Sequence, residues 1–298
     1  MAIIQLAGGR RDAGHMLIKT SRYISNAAVY LTLTIVFVFA MFPVFYTIMG
    51  SFKSNQELLA GGSNIIPKIF VVENYTQAWR LGNFQQYTFN SIFMSFFIVA
   101  GSIISSTVAG YVFARGDFKY KNILFALVIS SMFVSLGSLT LYPTLMIAKF
   151  IGINRSLWGV IIIRVLGLNV TNLFIARGYI QTISREIDEA AKIDGCSFFA
   201  IFRAIIFPLC KPLVATIGIL EFRSSWNDYL LPLVFTLSNP DRMPLVVGVI
   251  NLKTTGEAAS SWNLMLAGAS LSMIPMIIIY IIFNRYFIEG LTSGAVKG

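Results

Sequence analysis

Four ionisable side chains stand inside otherwise apolar runs: Arg164, Glu221, Arg223 and Asp228. A charge in hydrocarbon is costly, so such groups face a cavity or a partner helix. Two chemistries are open to them. Glu221 and Arg223 could join helices through ion pairs or hydrogen bonds. Alternatively Asn227, Asp228 and Glu221 could line a polar route, with Trp226 and Tyr229 offering aromatic faces beside hydrogen-bond donors and acceptors. Catalytic sets are missing. The one histidine, His15, excludes an H-E-x-x-H zinc site and a Ser/His/Asp triad, and no G-x-x-x-x-G-K-[ST] phosphate loop occurs. No catalytic or metal-binding residue is therefore expected.

A second set of residues has the chemistry of docking. Residues 184–212 interrupt two apolar runs with SREIDEAAKIDGCSFFAIFRAIIFPLCKP. Ser184 is placed to N-cap a short helix by accepting a bond from an unpaired backbone N–H. Glu186, Asp188 and Glu189 follow in its first turns, where the helix dipole favours negative charge. Ala190 and Ala191 form a smooth face, and Gly195 is a natural stop because it takes positive φ without strain. Composition alone allows an amphipathic connector on the bilayer surface or a rigid capped knob that fits a groove on another protein.

The elements that must position these residues are membrane spans. The 298 residues are 56% hydrophobic and only 12% charged, with mean hydropathy +0.73. Soluble domains carry about 25% charged residues. The net charge of +10 is scattered between apolar runs, which argues against nucleic acid and for anionic lipid and the positive-inside rule. Residues 1–26 read as a polar, basic cytoplasmic tail, and 27–287 as an all-α, six-span membrane domain. The expected spans are 27–49, 90–114, 122–148 with a kink at Pro143, 157–180, 198–237 with a break at Pro208, and 263–287 interrupted by Pro275. Gly101, Ser105, Ser106, Ala109 and Gly110 supply small residues for close packing of the second span. Residues 288–298 form a cytoplasmic tail. This topology puts 14 of the 23 Lys and Arg residues inside and seven outside. Both termini and the segment 184–212 then face the cytoplasm.

Glu189-Ala190-Ala191, three residues, Gly195, nine residues and Ile205-Ile206-Phe207-Pro208 resemble the EAA loop of ABC importer permeases, with Phe207 where that family usually has Leu. Further runs, SFKSNQELL, ENYTQAW, AGYVFARGDFKYKN and Trp226-Asn227-Asp228-Tyr229-Leu230, resemble the smaller membrane subunit of maltose-type sugar importers. The last residues, EGLTSGAVKG, resemble the glycine-rich tail that in the maltose system reaches between the ATPase subunits.

The resemblance implies the type I importer fold in a bacterial inner membrane. It implies a carbohydrate, of the oligosaccharide kind, as cargo, and no enzyme activity in this chain. ATP and Mg would be bound by a partner ATPase dimer. The other implied partners are a second, larger homologous permease, an extracytoplasmic sugar-binding protein and membrane lipid. It assigns ATPase coupling to Glu189, Ala190, Ala191, Asp194 and Gly195, and tail contacts with the ATPase to Gly290, Thr292, Gly294 and Lys297. In such pairs most substrate contacts come from the larger subunit, which leaves Trp226, Asn227, Asp228 and Glu221 as a candidate path only. An importer subunit for a different small solute and an ion-coupled secondary sugar carrier remain as alternatives.

Overall fold

The computed structural model describes residues 2–61, 64–134, 137–252 and 261–295, with side chains from residue 26 to residue 283 within those ranges. Every regular element among the described residues is helical. The chain divides into residues 1–71 and 72–298.

The first unit is dominated by α1 (Ala2–Ser51). Its stretch Asn26–Ser51 has a mean hydropathy of 2.3 and exceeds the ~20 residues needed to cross a bilayer. The backbone is already helical from Ala2, so residues 2–26 of the expected tail continue the span's helix. After α1, Ser54 caps α2 (Asn55–Leu59) by accepting from the Glu57 N–H at 3.2 Å.

In the second unit, α3 (Glu73–Leu81) leads into α4 (Phe84–Arg115), a 32-residue helix that serves as the central post. Two of its glycines permit close approach. A Cβ at Gly101 would lie 2.5 Å from Val165, and one at Gly110 would lie 2.6 Å from Ala176. The small residues predicted for packing are thus used where α7 (Leu157–Leu166) and α8 (Val170–Thr182) cross the post. At the other end, Asn90 donates to the carbonyls of Asp241 and Met243.

The expected third span is not continuous. It consists of α5 (Lys121–Ser130), two 3₁₀ turns and α6 (Leu141–Ile151). Pro143 does not kink a helix: it sits in the first turn of α6, where its missing N–H would have no helical partner anyway. The fourth span is also broken, by 45° between α7 and α8. Gly167 ends α7, Leu168 takes a φ of 36°, and Asn169 caps α8 by accepting from the N–H groups of Thr171 and Asn172.

The segment after α8 is a chain of short pieces. It comprises α9 (Arg185–Ile193), α10 (Phe198–Ile201), a π-helical turn Phe202–Ile206, α11 (Phe207–Leu209), α12 (Lys211–Trp226) and α13 (Leu230–Thr236). The expected break near Pro208 is present as a 78° bend between Leu209 and Lys211, with a proline in the first turn on each side. Then come α14 (Leu245–Asn251) and α15 (Trp262–Ala295). By length and hydropathy three described helices can each cross a membrane, or five spans if each bent pair counts as one. Helix α15 runs through Pro275 and onward through Gly290 and Gly294, past the expected boundary at 288. Each glycine weakens a helix by only about 1 kcal/mol, and propagation from a long apolar helix carries through.

Candidate functional site

Helix α9 is built as a rigid projection. The Ser184 hydroxyl accepts from the Glu186 N–H at 3.2 Å, which is the cap expected from the sequence. At the other end Gly195 has a φ of +83°. The Gly195 N–H donates to the Lys192 carbonyl and the Cys196 N–H to the Ala191 carbonyl, both at 3.0 Å. That pair of bonds is a Schellman closure, which satisfies carbonyls that would otherwise be left open.

One face of α9 is anchored. Asp188 and Ala191, three residues apart, are buried. The Asp188 carboxylate lies 3.0 Å from Nε of Arg115, the last residue of α4, and the two side chains are only 7% and 6% exposed. Arg115 also donates to the Ile183 carbonyl at 2.5 Å, fixing the turn that enters α9. The guanidinium stands at the negative end of α4 and the carboxylate in the first turn of α9, so both helix dipoles favour the pair. The Tyr111 hydroxyl donates to the Phe198 carbonyl at 3.3 Å, and its ring packs against Phe198 and Phe202. The projection is therefore tied on both flanks to the central post.

The opposite face is open. Glu186, Glu189, Ala190, Asp194 and Gly195 are exposed, and Ile193 is 87% exposed. Of the five coupling residues expected from the sequence, only Ala191 turns inward. The recess beside the Arg115–Asp188 pair holds about 80 Å³, well below the ~300 Å³ at which ligand pockets begin. What α9 offers is a shaped, partly apolar face on a fixed base.

A second polar centre lies at the α7–α8 break. Glu221 is 2% exposed, and its Oε1 accepts from the side-chain amides of Asn169 and Asn172, each at 2.7 Å. Arg164 stands 3.8 Å from Glu221 and 4.0 Å from Asp228, and donates to the Ser224 hydroxyl at 2.6 Å. The sequence-expected path is split by this geometry. Trp226 is buried, stacks on Phe222 and donates its indole N–H to the Ser272 carbonyl at 3.1 Å, so it is a packing residue and presents no face to a passing solute. Glu221 likewise has its carboxylate committed to neighbouring helices. Asn227 is exposed and Asp228 partly so, and they share the accessible edge with Arg164 and Ser224. Arg223 is exposed, with no ion-pair partner among the described residues.

Sequence reasoning missed the Arg115–Asp188 pair. Both residues were visible, Arg115 as a cation of the first inner turn and Asp188 as a first-turn acid, but 73 positions of sequence separate them. Of the expected tail contacts, Gly290, Thr292 and Gly294 fall in the helical backbone of α15, and Lys297 lies outside the described residues.

Comparison with known proteins gives a consistent result. Residues 106–292 match the family described as "Binding-protein-dependent transport system inner membrane component". The chain is 33% identical to the arabinooligosaccharides transport system permease protein AraQ of Bacillus subtilis (strain 168), over 87% of this chain and 91% of that protein. It is 32% identical to the galactooligosaccharides transport system permease protein GanQ of the same organism, over 94% and 98%. Its fold matches a chain from the crystal structure of a bacterial ABC transporter involved in the import of the acidic polysaccharide alginate. That match has a TM-score of 0.75 and 23% identity, and covers 90% of this chain and 98% of the other.

Proposed function

The chain belongs to the family of binding-protein-dependent transport system inner membrane components, and from that premise we propose that it is one permease subunit of an ATP-driven carbohydrate importer. It is a multi-pass membrane protein and a transport subunit. In this reading it forms half of a pore beside a second homologous permease. A binding protein delivers an oligosaccharide from outside, and a cytoplasmic ATPase dimer, which holds ATP and Mg, seats α9 in a groove. The relatives named for arabino- and galactooligosaccharides support the cargo class. The positive-inside bias supports an inward-facing α9 and cytoplasmic termini.

The observation that carries the coupling role is the two-faced build of α9. Its inner face is fixed to α4 by the Arg115–Asp188 pair, and its outer face leaves Glu189, Ala190 and Ile193 uncovered. In this reading Ile193, 87% exposed, is the apolar anchor on which the partner seats. Movement of a partner bound there passes to the spans because the base does not yield. The accessible edge of Arg164, Asn227 and Asp228 supplies charged and amide groups to the pore side.

The test is substrate-stimulated ATP hydrolysis by the reconstituted complex carrying Gly195→Leu. A side chain at φ +83° is strained by about 1–2 kcal/mol although the space around Gly195 is open. The reorganised C-terminus of α9 should leave a complex that inserts and assembles but hydrolyses ATP without responding to sugar. Wild-type uptake by that variant sinks the coupling assignment.

A further inference from the structure

The basic residues around α9 are not all spent in the same way. Arg115 is consumed by Asp188. Beside it stand three cations with no ion-pair partner among the described residues: Lys121 at the start of α5, Arg177 in the last half of α8 and Arg185 at the start of α9. They share one corner. The Arg177 guanidinium lies 4.0 Å over the Phe125 ring, and Lys121 is one helical turn before Phe125 on the same face of α5. Arg177 Nε is buried and has no protein acceptor. The Lys121 ammonium donates to the Gly116 carbonyl at 2.7 Å, which leaves two of its donors free. Burial, and then the charges of Arg177 and Arg185, push the Lys121 ammonium below its ordinary value, with only Asp117 pulling the other way. The corner thus gathers three cations near Asp117, with free ammonium donors on Lys121 and a half-buried guanidinium placed over an aromatic ring, while Arg185 also lines the recess that holds Asp188 and Glu189.

The surroundings are those of a bilayer edge. Leu124, three residues after Lys121, is 46% exposed, and Phe174, three residues before Arg177, is 52% exposed. Each helix therefore presents a cation with an apolar side chain beside it. A soluble anion would use only the first of these features. A molecule with an anionic head and a hydrocarbon body would use both.

We propose that Lys121, Arg177 and Arg185 form a binding site for the phosphodiester headgroup of an anionic phospholipid, whose acyl chains lie along Leu124 and Phe174. The phosphate oxygens accept from Arg177 and from the free donors of Lys121, and Arg185 closes the site from α9. Occupancy cross-links α5, α8 and α9 through one headgroup, so lipid composition sets how firmly the base of the projection is held.

The experiment uses the full chain in detergent micelles, without ATPase or sugar, so its outcome is separate from that of the transport reading. Native mass spectrometry compares retention of phosphatidylglycerol, phosphatidylcholine and inorganic phosphate. Wild type should hold phosphatidylglycerol about thirtyfold more tightly than phosphatidylcholine. Lys121→Gln with Arg177→Gln should bring that ratio to about one. The charge-preserving pair Lys121→Arg with Arg177→Lys should retain most of it, which separates lost charge from lost fold. Arg155→Gln, in a loop remote in sequence from the corner, should change nothing. Equal retention of both lipids by wild type overturns the proposal. So does a preference that survives the glutamine pair, and so does displacement of phosphatidylglycerol by millimolar-range inorganic phosphate, which would identify a soluble ligand.

Discussion

Two buried carboxylates, Asp188 under α9 and Glu221 beside the α7–α8 break, each face an arginine, yet they are built for different tasks. Asp188 has one close cationic partner at 3.0 Å, and both side chains are almost fully enclosed. Glu221 spreads its contacts over two amides and an arginine at 3.8 Å whose side chain is 27% exposed and shared with Asp228. A close enclosed pair loses heavily when one member goes, because the other remains as an unpaired charge. A distributed set loses less when one partner goes, because the others remain. The first arrangement concentrates its strength in one contact, and the second spreads it over several.

The largest effect that separates the two is expected for Arg115→Ala. It should lower stability by about 3–5 kcal/mol, read as a fall in the unfolding midpoint in micelles, while Arg115→Met with Asp188→Leu recovers most of the loss. A single variant that costs nothing would erase the distinction. Glu221→Ala should cost less, about 1–3 kcal/mol, since two amides lose an acceptor while Arg164 keeps Asp228 and Ser224. Calorimetric or denaturant unfolding measures both on one scale. Ser184→Ala should remove the cap of α9 for about 1 kcal/mol, visible as faster local hydrogen exchange at Glu186 and Ile187, with global unfolding little changed. Smallest in stability is Asp228→Asn, at about 0.5 kcal/mol, because its ion pair is long and partly wet. Its signature should be altered sugar uptake kinetics. Unchanged uptake removes Asp228 from the path.

The legible parts of the chain were those fixed by local chemistry. Ser184 and Gly195 announce the two ends of α9, and Pro208 with Pro212 announce the bend, because caps and prolines act within a few residues. The breaks at Leu168 and before Leu141 were not legible. Both fall in runs whose hydropathy suits an unbroken span, and only the Gly167-Leu168-Asn169 sequence gives a local sign of the first. Trp226 misled for a related reason. Its neighbours Asn227 and Asp228 are polar and reach the accessible edge, but helical geometry turns the indole inward to Ser272. The pairing of Asp188 with Arg115 depends on how α8 lies along α4: Gly110 marks a close approach in the sequence, but not that Ala176 of α8 fills it.

The 78° angle between the α10–α11 segment and α12 has a mechanical meaning. A thrust delivered along the short segment has little component along the axis of α12, so it cannot slide that rod lengthwise through lipid. It arrives instead as a sideways push on the Lys211 end of α12, across that rod's axis. With a pivot anywhere along α12, such a push swings the opposite end, which carries Trp226 and is followed by Asn227, the other way.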